Sequence, residues 1–145
     1  MAKKEYRIIN SSGNLDTYSE YDLIESPAIV SLKNVENKGL ICVGAWVKYL
    51  TTDNNGKEIT CISVQDANTG ETFSGQSVTF RESFEDIVDR VSDMDEVPDM
   101  FFIEVLHRQS KAGRDYLICA LVSPDRAFSR MGYSTTDVPM PEPQK

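Results

Sequence analysis

The chain has 145 residues and a formal net charge of −8, from 23 acidic and 15 basic residues. That length suits one domain with its own core, and the acidic excess argues against a uniformly basic nucleic-acid-binding surface. The sequence has no apolar run near the roughly 20 residues of a transmembrane helix, and we expect no secretory signal at its N-terminus. These features predict a cytoplasmic protein without a membrane partner.

The cysteines and the histidine offer little chemistry. Cys42, Cys61 and Cys119 lie far apart in apolar runs, and His107 is the only histidine. A zinc site needs about four ligands at short spacing, so we expect no metal and no cofactor. The sequence has no phosphate-binding glycine loop and no identifiable carboxylate pair, so we predict no catalytic residue and no enzymatic activity. A Cys–His nucleophile pair stays open as an alternative, because neighbours in space need not be neighbours in sequence.

The N-terminal half of the chain begins with an arm and continues with strands. Residues 1–27 are predicted to form a flexible arm, interrupted by a short amphipathic turn that Pro27 ends. The run 28–32 predicts a short strand. Residues 40–50 are rich in β-branched and aromatic side chains and predict a long strand, in which Gly44 favours a bulge or a sharp bend.

Two further strands and a helix follow. The turn Asp53–Gly56 ends in Asn-Gly, which favours a type I′ hairpin, so 59–65 and 71–78 complete a meander. Apolar residues then recur at helical spacing. Thr79 and Glu82 have the spacing of a capping box at the start of this helix. These helical positions are Phe80, Phe84, Ile87, Val88 and Val91.

The last elements are two strands, 101–108 and 115–122, joined by a hairpin loop, and a tail, 126–145, whose prolines predict an extended chain. Three meandering strands, a helix and two strands predict a mainly β fold. In particular, they predict a five-stranded OB-fold Greek-key barrel over 28–125, with one α-helix between strands 3 and 4. An α+β roll is the alternative, although such a roll usually has its helix after the first hairpin.

The acidic residues are concentrated in one segment. Residues 81–99 hold eight acids and two bases, a net charge of −6, whereas 100–130 hold three acids and five bases. The acidic segment is either a solvated helix face or a surface that docks a basic partner. Because the bases cluster around the last hairpin, the total of −8 does not exclude a local nucleic-acid-binding surface.

OB-folds bind oligonucleotides on strands 2 and 3 and with the loops joining strands 1–2 and 4–5, and single-strand binders combine bases with stacking aromatics. Alternation places Glu104 and Arg108 on the outer face of their strand, and Lys48 with Trp46 on the outer face of theirs, unless a bulge at Gly44 shifts the register. Core packing is the alternative for the Trp46 ring. The predicted DNA-binding residues are Trp46, Lys48, Lys57, Phe73, Arg108, Lys111, Arg114 and Tyr116.

The strand 40–50, the helix Phe80–Val91 and the hairpin Lys111–Tyr116 resemble, in that order, the OB-fold single-stranded-DNA-binding proteins encoded by conjugative plasmids and phages of Gram-positive bacteria. The resemblance implies a non-enzymatic protein that binds single-stranded DNA with little sequence preference and serves conjugative transfer or replication. It also implies a gene set that encodes a type IV secretion system. Double-stranded DNA stays open as a second ligand. The chain lacks the acidic C-terminal tip ending in Phe that common bacterial single-strand binders carry.

The arm contains a short apolar segment of Tyr6, Ile8 and Ile9. An extended arm with apolar anchors can pack on a neighbouring subunit, so we predict a homo-oligomer, either a dimer or a head-to-tail filament on DNA. A disordered terminus is the alternative. The alternative function for the whole chain is an OB-fold adaptor that docks a basic partner through its acidic helix.

Overall fold

A computed structural model describes residues 5–13 and 15–132. The strands are β1 Tyr6–Ser11, β2 Val30–Ser31, β3 Gly39–Thr52, β4 Glu58–Asp66, β5 Thr72–Gly75, β6 Phe101–Gln109 and β7 Asp115–Val122. The α-helices are α1 Thr17–Glu20, α2 Val78–Ser92 and α3 Pro124–Arg130. A π-helical turn at Tyr21–Glu25 follows α1 directly, and a 3₁₀ turn lies at Leu32–Asn34. The predicted mainly β class and the predicted order of strands and helix are confirmed.

All of these strands belong to one curled mixed sheet that forms a half-barrel. The order is β2-β5-β4-β3-β6-β7, with β1 beside β3, and the pairing is antiparallel except between β2 and β5. A closed OB barrel would also pair β5 with β7, and no such ladder occurs within 5–13 and 15–132. The described sheet also has seven strands where five were predicted, because β1 and β2 join it.

The long strand β3 bends where the sequence predicts a bend. Its register shifts between Val43 and Ala45; the residues before the shift pair with β6, and those after it pair with β4 and β1. A Cβ atom on Gly44 would lie 2.9 Å from the Cβ atom of Ala67, closer than two such atoms approach. Glycine is therefore required there, so that the bulge can pack against the end of β4.

Helix α2 covers one face of the curled sheet with its apolar stripe. The buried positions Phe80, Phe84, Ile87 and Val91 are the ones that helical spacing predicts. The predicted capping box is wrong, because Ser77 is the N-cap and its Oγ accepts from the Phe80 N–H at 3.2 Å. Thr79 instead donates to the Leu117 carbonyl at 2.7 Å, which joins the start of α2 to β7.

The opposite face of the sheet is also covered, by two smaller clusters. One packs β1 and the π-helical turn onto β3 and β4, with the buried side chains of Leu23, Ile24, Val47, Tyr49 and Cys61. The other packs α3 onto β6, with the buried side chains of Cys42, Phe102, Val122 and Ala127. Strand alternation therefore separates two buried faces here, and not a buried face from a solvated one.

The prediction of a flexible arm is wrong for residues 6–11, because they form β1 and pair with Val47–Thr51. The Tyr6 hydroxyl donates to Glu20 Oε1 at 2.7 Å, and the Tyr6 ring packs edge-on against the Tyr49 ring at 6.1 Å. Backbone pairing and aromatic packing together fix the arm on the sheet of its own chain.

The hydrogen bond from Tyr6 predicts a stability change at alkaline pH. Hydrogen bonding to Glu20, followed by burial, raises the pKa of Tyr6 from 10.0 to about 12. Below pH 10 the phenol is neutral in both the folded and the unfolded chain; between pH 10 and about 12 only the unfolded chain loses its proton, so stability is lost. In urea unfolding, the difference in unfolding free energy between wild type and Tyr6→Phe should shrink across this range. A difference independent of pH would contradict this.

The prediction of an extended tail from residue 126 is wrong for its first part. Residues 124–130 form α3, which Ser123 caps and which has a proline in its first turn, where the missing N–H is not needed. Phe128 packs edge-on against Phe102 with ring centroids 5.6 Å apart, and Arg130 donates to Glu104 at 2.9 Å. Helix α3 thus crosses the predicted domain boundary at 125. The predicted extended segment from 133 to 145 lies outside the described residues.

Candidate nucleic-acid interface

A groove of about 1120 Å³ opens beside β5 and β7, the two strands that a closed OB barrel would pair with each other. It brings together residues of β3, β4 and β5, the 3₁₀ turn, the start of α2, and the ends of β6 and β7 that meet at the hairpin. Hydroxyl groups dominate its polar lining: Ser31, Tyr49, Thr51, Thr52, Ser74, Ser77, Thr79 and Tyr116. Such groups hydrogen-bond phosphate, sugar or base edges without a fixed charge pattern.

Two loops with basic side chains border the groove. Lys57 ends the β3–β4 turn, whose Asp53 and Asn54 line the groove. Lys111 and Arg114 lie in the β6–β7 hairpin, directly before lining residues of β7. All three basic side chains are exposed, and neither of the two ion pairs found among the described residues involves them. Their charge is therefore available to a ligand, and the structure brings together both predicted basic loops.

The β3–β4 turn is a hairpin, as predicted, but its type differs. Gly56 has φ +82°, whereas Asn55 does not have a positive φ, so the turn is not of type I′. The Asp53 side chain accepts from the backbone N–H groups of Asn55 and Lys57, each at 2.9 Å. This Asp53 carboxylate orders the backbone at Lys57 beside the groove.

At the hairpin end of β6 and β7, Arg108 is the register partner of Tyr116. Directly opposed antiparallel residues have Cβ atoms about 4.5–5.5 Å apart, so their side chains are neighbours on one face. Tyr116 is half-buried and lines the groove, and Arg108 is exposed. This pair places a cation beside an aromatic ring, the combination that single-strand binders use.

Three of the predicted residues do not fit a DNA contact in this structure. Trp46 is 6% exposed and packs edge-on against Phe84 at 5.6 Å. Lys48 shares that face and pairs with Glu85 of α2 at 2.8 Å. The prediction that both face outward is wrong, because α2 covers the face. Phe73 is half-buried and packs against the same core cluster, so its ring is largely occupied.

Sequence reasoning missed several residues of the groove. Among the described residues, Lys33 is the one lysine or arginine that lines the groove. It comes from the 3₁₀ turn, and the pairing of β2 with β5, which only the fold shows, places that turn there. Tyr49 lies deeper in the groove, and burial raises the pKa of its phenol, so it stays a neutral donor. His107 lines the groove with its Nε2 atom 2.5 Å from the Val35 carbonyl oxygen.

Two of the cysteines, Cys42 and Cys119, give no sign of an activated thiol. Burial raises the pKa of Cys119 to about 12 and also raises that of Cys42, so both are protonated at neutral pH. The nucleophilic form of cysteine is the thiolate, which burial disfavours. Within residues 5–13 and 15–132, no group of three or more His, Cys, Asp or Glu side chains is arranged to hold a metal ion.

Searches against protein-family models, curated proteins and solved structures returned no match to this chain. In the part of the chain that the structure describes, none of the helices combines the length and the apolar character needed to cross a bilayer.

Proposed function

We propose that this chain is an OB-type single-stranded-DNA-binding protein with little sequence preference, which binds the DNA backbone in the groove between the β3–β4 turn and the β6–β7 hairpin. The observation that carries the proposal is that groove, bordered by exposed bases on both loops and lined by hydroxyl groups. None of the acidic residues of 81–99 lines it. The negative charge of that segment is therefore kept away from the proposed path of the phosphates.

The expected affinity is modest. Asp53 and Asp115 line the groove and offset part of its positive charge. The available cations are Lys33, Lys57, Arg108, Lys111 and Arg114. With Trp46 in the core, stacking depends mainly on Tyr116, and one stacked base contributes about 1–3 kcal/mol. Most of the binding free energy should therefore come from phosphate contacts and should fall as salt rises.

The experiment that tests the proposal is fluorescence anisotropy with labelled oligo-dT of about 16 nucleotides, the upper end of OB-fold site sizes. Five phosphate contacts predict a log–log salt slope near −3.5, which is a loss of about a hundredfold between roughly 50 and 200 mM salt. A duplex of the same length measures the preference for single strands. Absence of binding at tens of micromolar protein in low salt would contradict the proposal and favour the adaptor that docks a basic partner.

The proposal extends to a cytoplasmic role in conjugative plasmid transfer or replication, which rests on the resemblance described above, and to assembly through β1. Of the three predicted arm residues, Tyr6 and Ile8 pack on their own chain. Ile9 lies at the register shift of β1 and is 44% exposed, so it is the member of the three most available to a neighbouring subunit.

Replacing Ile9 with Ser should lower the average mass of the protein in light scattering, with and without oligo-dT, because it removes the exposed apolar contact. Ile9 is used because deleting residues 1–12 would also remove β1 from the sheet. Met131→Ser, a change at another exposed apolar side chain, is the control and should leave the mass unchanged. Equal masses for Ile9→Ser and wild type would contradict assembly through the arm.

A further inference from the structure

A second cavity, of about 350 Å³, lies between β1, the bulge of β3, the end of α2 and the segment that leads to β6. It shares no lining residue with the groove. Its apolar lining includes Val43, Trp46, Val91 and Phe101. A volume of this size is at the lower end of ligand-binding pockets, about 300–1000 Å³, and is enough for one large side chain.

The charge around this cavity has one sign. Asp89 and Asp99 line it together with serine and asparagine side chains, and no lysine or arginine among the residues that the structure describes does so. Neither carboxylate takes part in the two ion pairs found among the described residues. Both belong to the segment 81–99, whose net charge of −6 is most of the total of −8. Such a field attracts cations and repels nucleic acid.

Exposed apolar side chains lie in the segment between α2 and β6, which forms one side of the same cavity. Met94, Val97 and Met100 are 43%, 58% and 47% exposed, all within the segment between α2 and β6, and Val97 lines the cavity itself. Large apolar side chains clustered on a surface and bordered by polar groups mark interaction sites. Apolar side chains and negative charge therefore occur together here. We call this cavity the acidic cavity; its lining includes Val43, Trp46, Asp89, Val91, Val97, Asp99 and Phe101.

We propose that the acidic cavity docks a basic, partly apolar segment of a partner protein, whose arginine or lysine enters the cavity beside Trp46 and meets Asp89 and Asp99. An arginine suits this site because its guanidinium binds carboxylates, while its aliphatic stem packs on apolar side chains such as those that line the cavity. The charge selects against DNA as the occupant. This interaction is separate from the proposed DNA binding and uses different residues.

Trp46 gives the test a local signal, because it is the only tryptophan of the chain and lines the cavity. The probes are a short tryptophan-free peptide of alternating arginine and leucine, and the same peptide with serine in place of leucine. The arginine–leucine peptide should change the Trp46 emission saturably and bind at least about five-fold more tightly than the serine peptide. Oligo-dT should leave that emission unchanged, since the groove does not contain Trp46.

The double substitution Asp89→Asn and Asp99→Asn should weaken the arginine–leucine peptide about five-fold, as two partly exposed ion pairs would predict. Glu82→Gln with Asp86→Asn removes the same charge from exposed positions of α2 outside the cavity, and should change the affinity less than two-fold. Equal effects of the two double variants, equal binding of the two peptides, or binding without a change in Trp46 emission would each overturn the proposal. A concentration-dependent change in emission of the protein alone would show that a second copy occupies the cavity and would also overturn it.

Discussion

Replacing Lys111 and Arg114 together with alanine is expected to lower the affinity for oligo-dT about ten-fold at roughly 0.1 M salt. Both side chains are exposed in the β6–β7 hairpin beside the groove, and neither takes part in an ion pair of the described residues. Each phosphate contact contributes about 0.7 to the log–log salt slope for single strands, so the slope should also fall by about 1.4. Anisotropy titrations at several salt concentrations measure both quantities.

A loss of total charge could mimic this result, so the control removes two other exposed arginines. Arg90 lies in the last turn of α2 and Arg126 lies in α3, and neither lines the groove. Arg90→Ala with Arg126→Ala should leave the salt slope unchanged and reduce the affinity less than two-fold, because distant exposed charges are screened. If the control and the Lys111–Arg114 variant behave alike, the DNA path does not follow the hairpin.

Replacing Phe84 with alanine is expected to destabilise the fold by about 3–5 kcal/mol, the range for a buried phenylalanine. Its ring is fully buried and lies among Trp46, Phe80 and Phe101, at centroid distances of 5.6, 6.2 and 6.1 Å. The substitution leaves a cavity between α2 and the sheet that these rings cannot easily fill. Urea unfolding monitored by circular dichroism gives the free energy.

The control for Phe84 is the same substitution at a half-buried position. Phe128 of α3 packs on Phe102 at the edge of the sheet, so Phe128→Ala should cost clearly less than Phe84→Ala. Comparable losses would mean that the contact between α2 and the sheet is not the main core. Since Trp46 is the edge-on partner of Phe84, its emission should also shift toward that of a more solvated indole in the Phe84→Ala variant.

Several features could be predicted from short stretches of sequence. The long strand with its bend at Gly44, the hairpin at Asp53–Gly56 and the apolar stripe of α2 follow from local propensity and periodicity, and the structure has each of them. The separation of the acidic segment 81–99 from the basic hairpin along the chain also follows from counting charged residues, because such a count needs only their order in the sequence. For the same reason the hairpin bases Lys111 and Arg114 could be predicted as candidates.

The errors have a common physical origin. Alternation correctly places Lys48 and Trp46 on one face of β3, but what covers that face depends on where α2 packs. Similarly, a polar N-terminus with a few apolar residues is typical of a flexible arm. It is ordered here because it pairs as β1 with the edge of β3, and local sequence does not show that this edge is open to it. The prolines of the tail predict an extended chain. The first part of the tail is helical, and its Phe128 packs on Phe102, a contact with a residue that is distant in sequence.

Neighbours along the chain are enough to predict the order of strands and helix, the residues on each face of a strand, and the location of the charge. The folded structure was needed to show that both faces of the sheet are buried, that Trp46 lines the acidic cavity, and that a hydroxyl-lined groove opens beside β5 and β7. Those features arise from contacts between segments far apart in sequence, whose free energy comes from packing and edge pairing. Local periodicity carries no information about which distant partner supplies them.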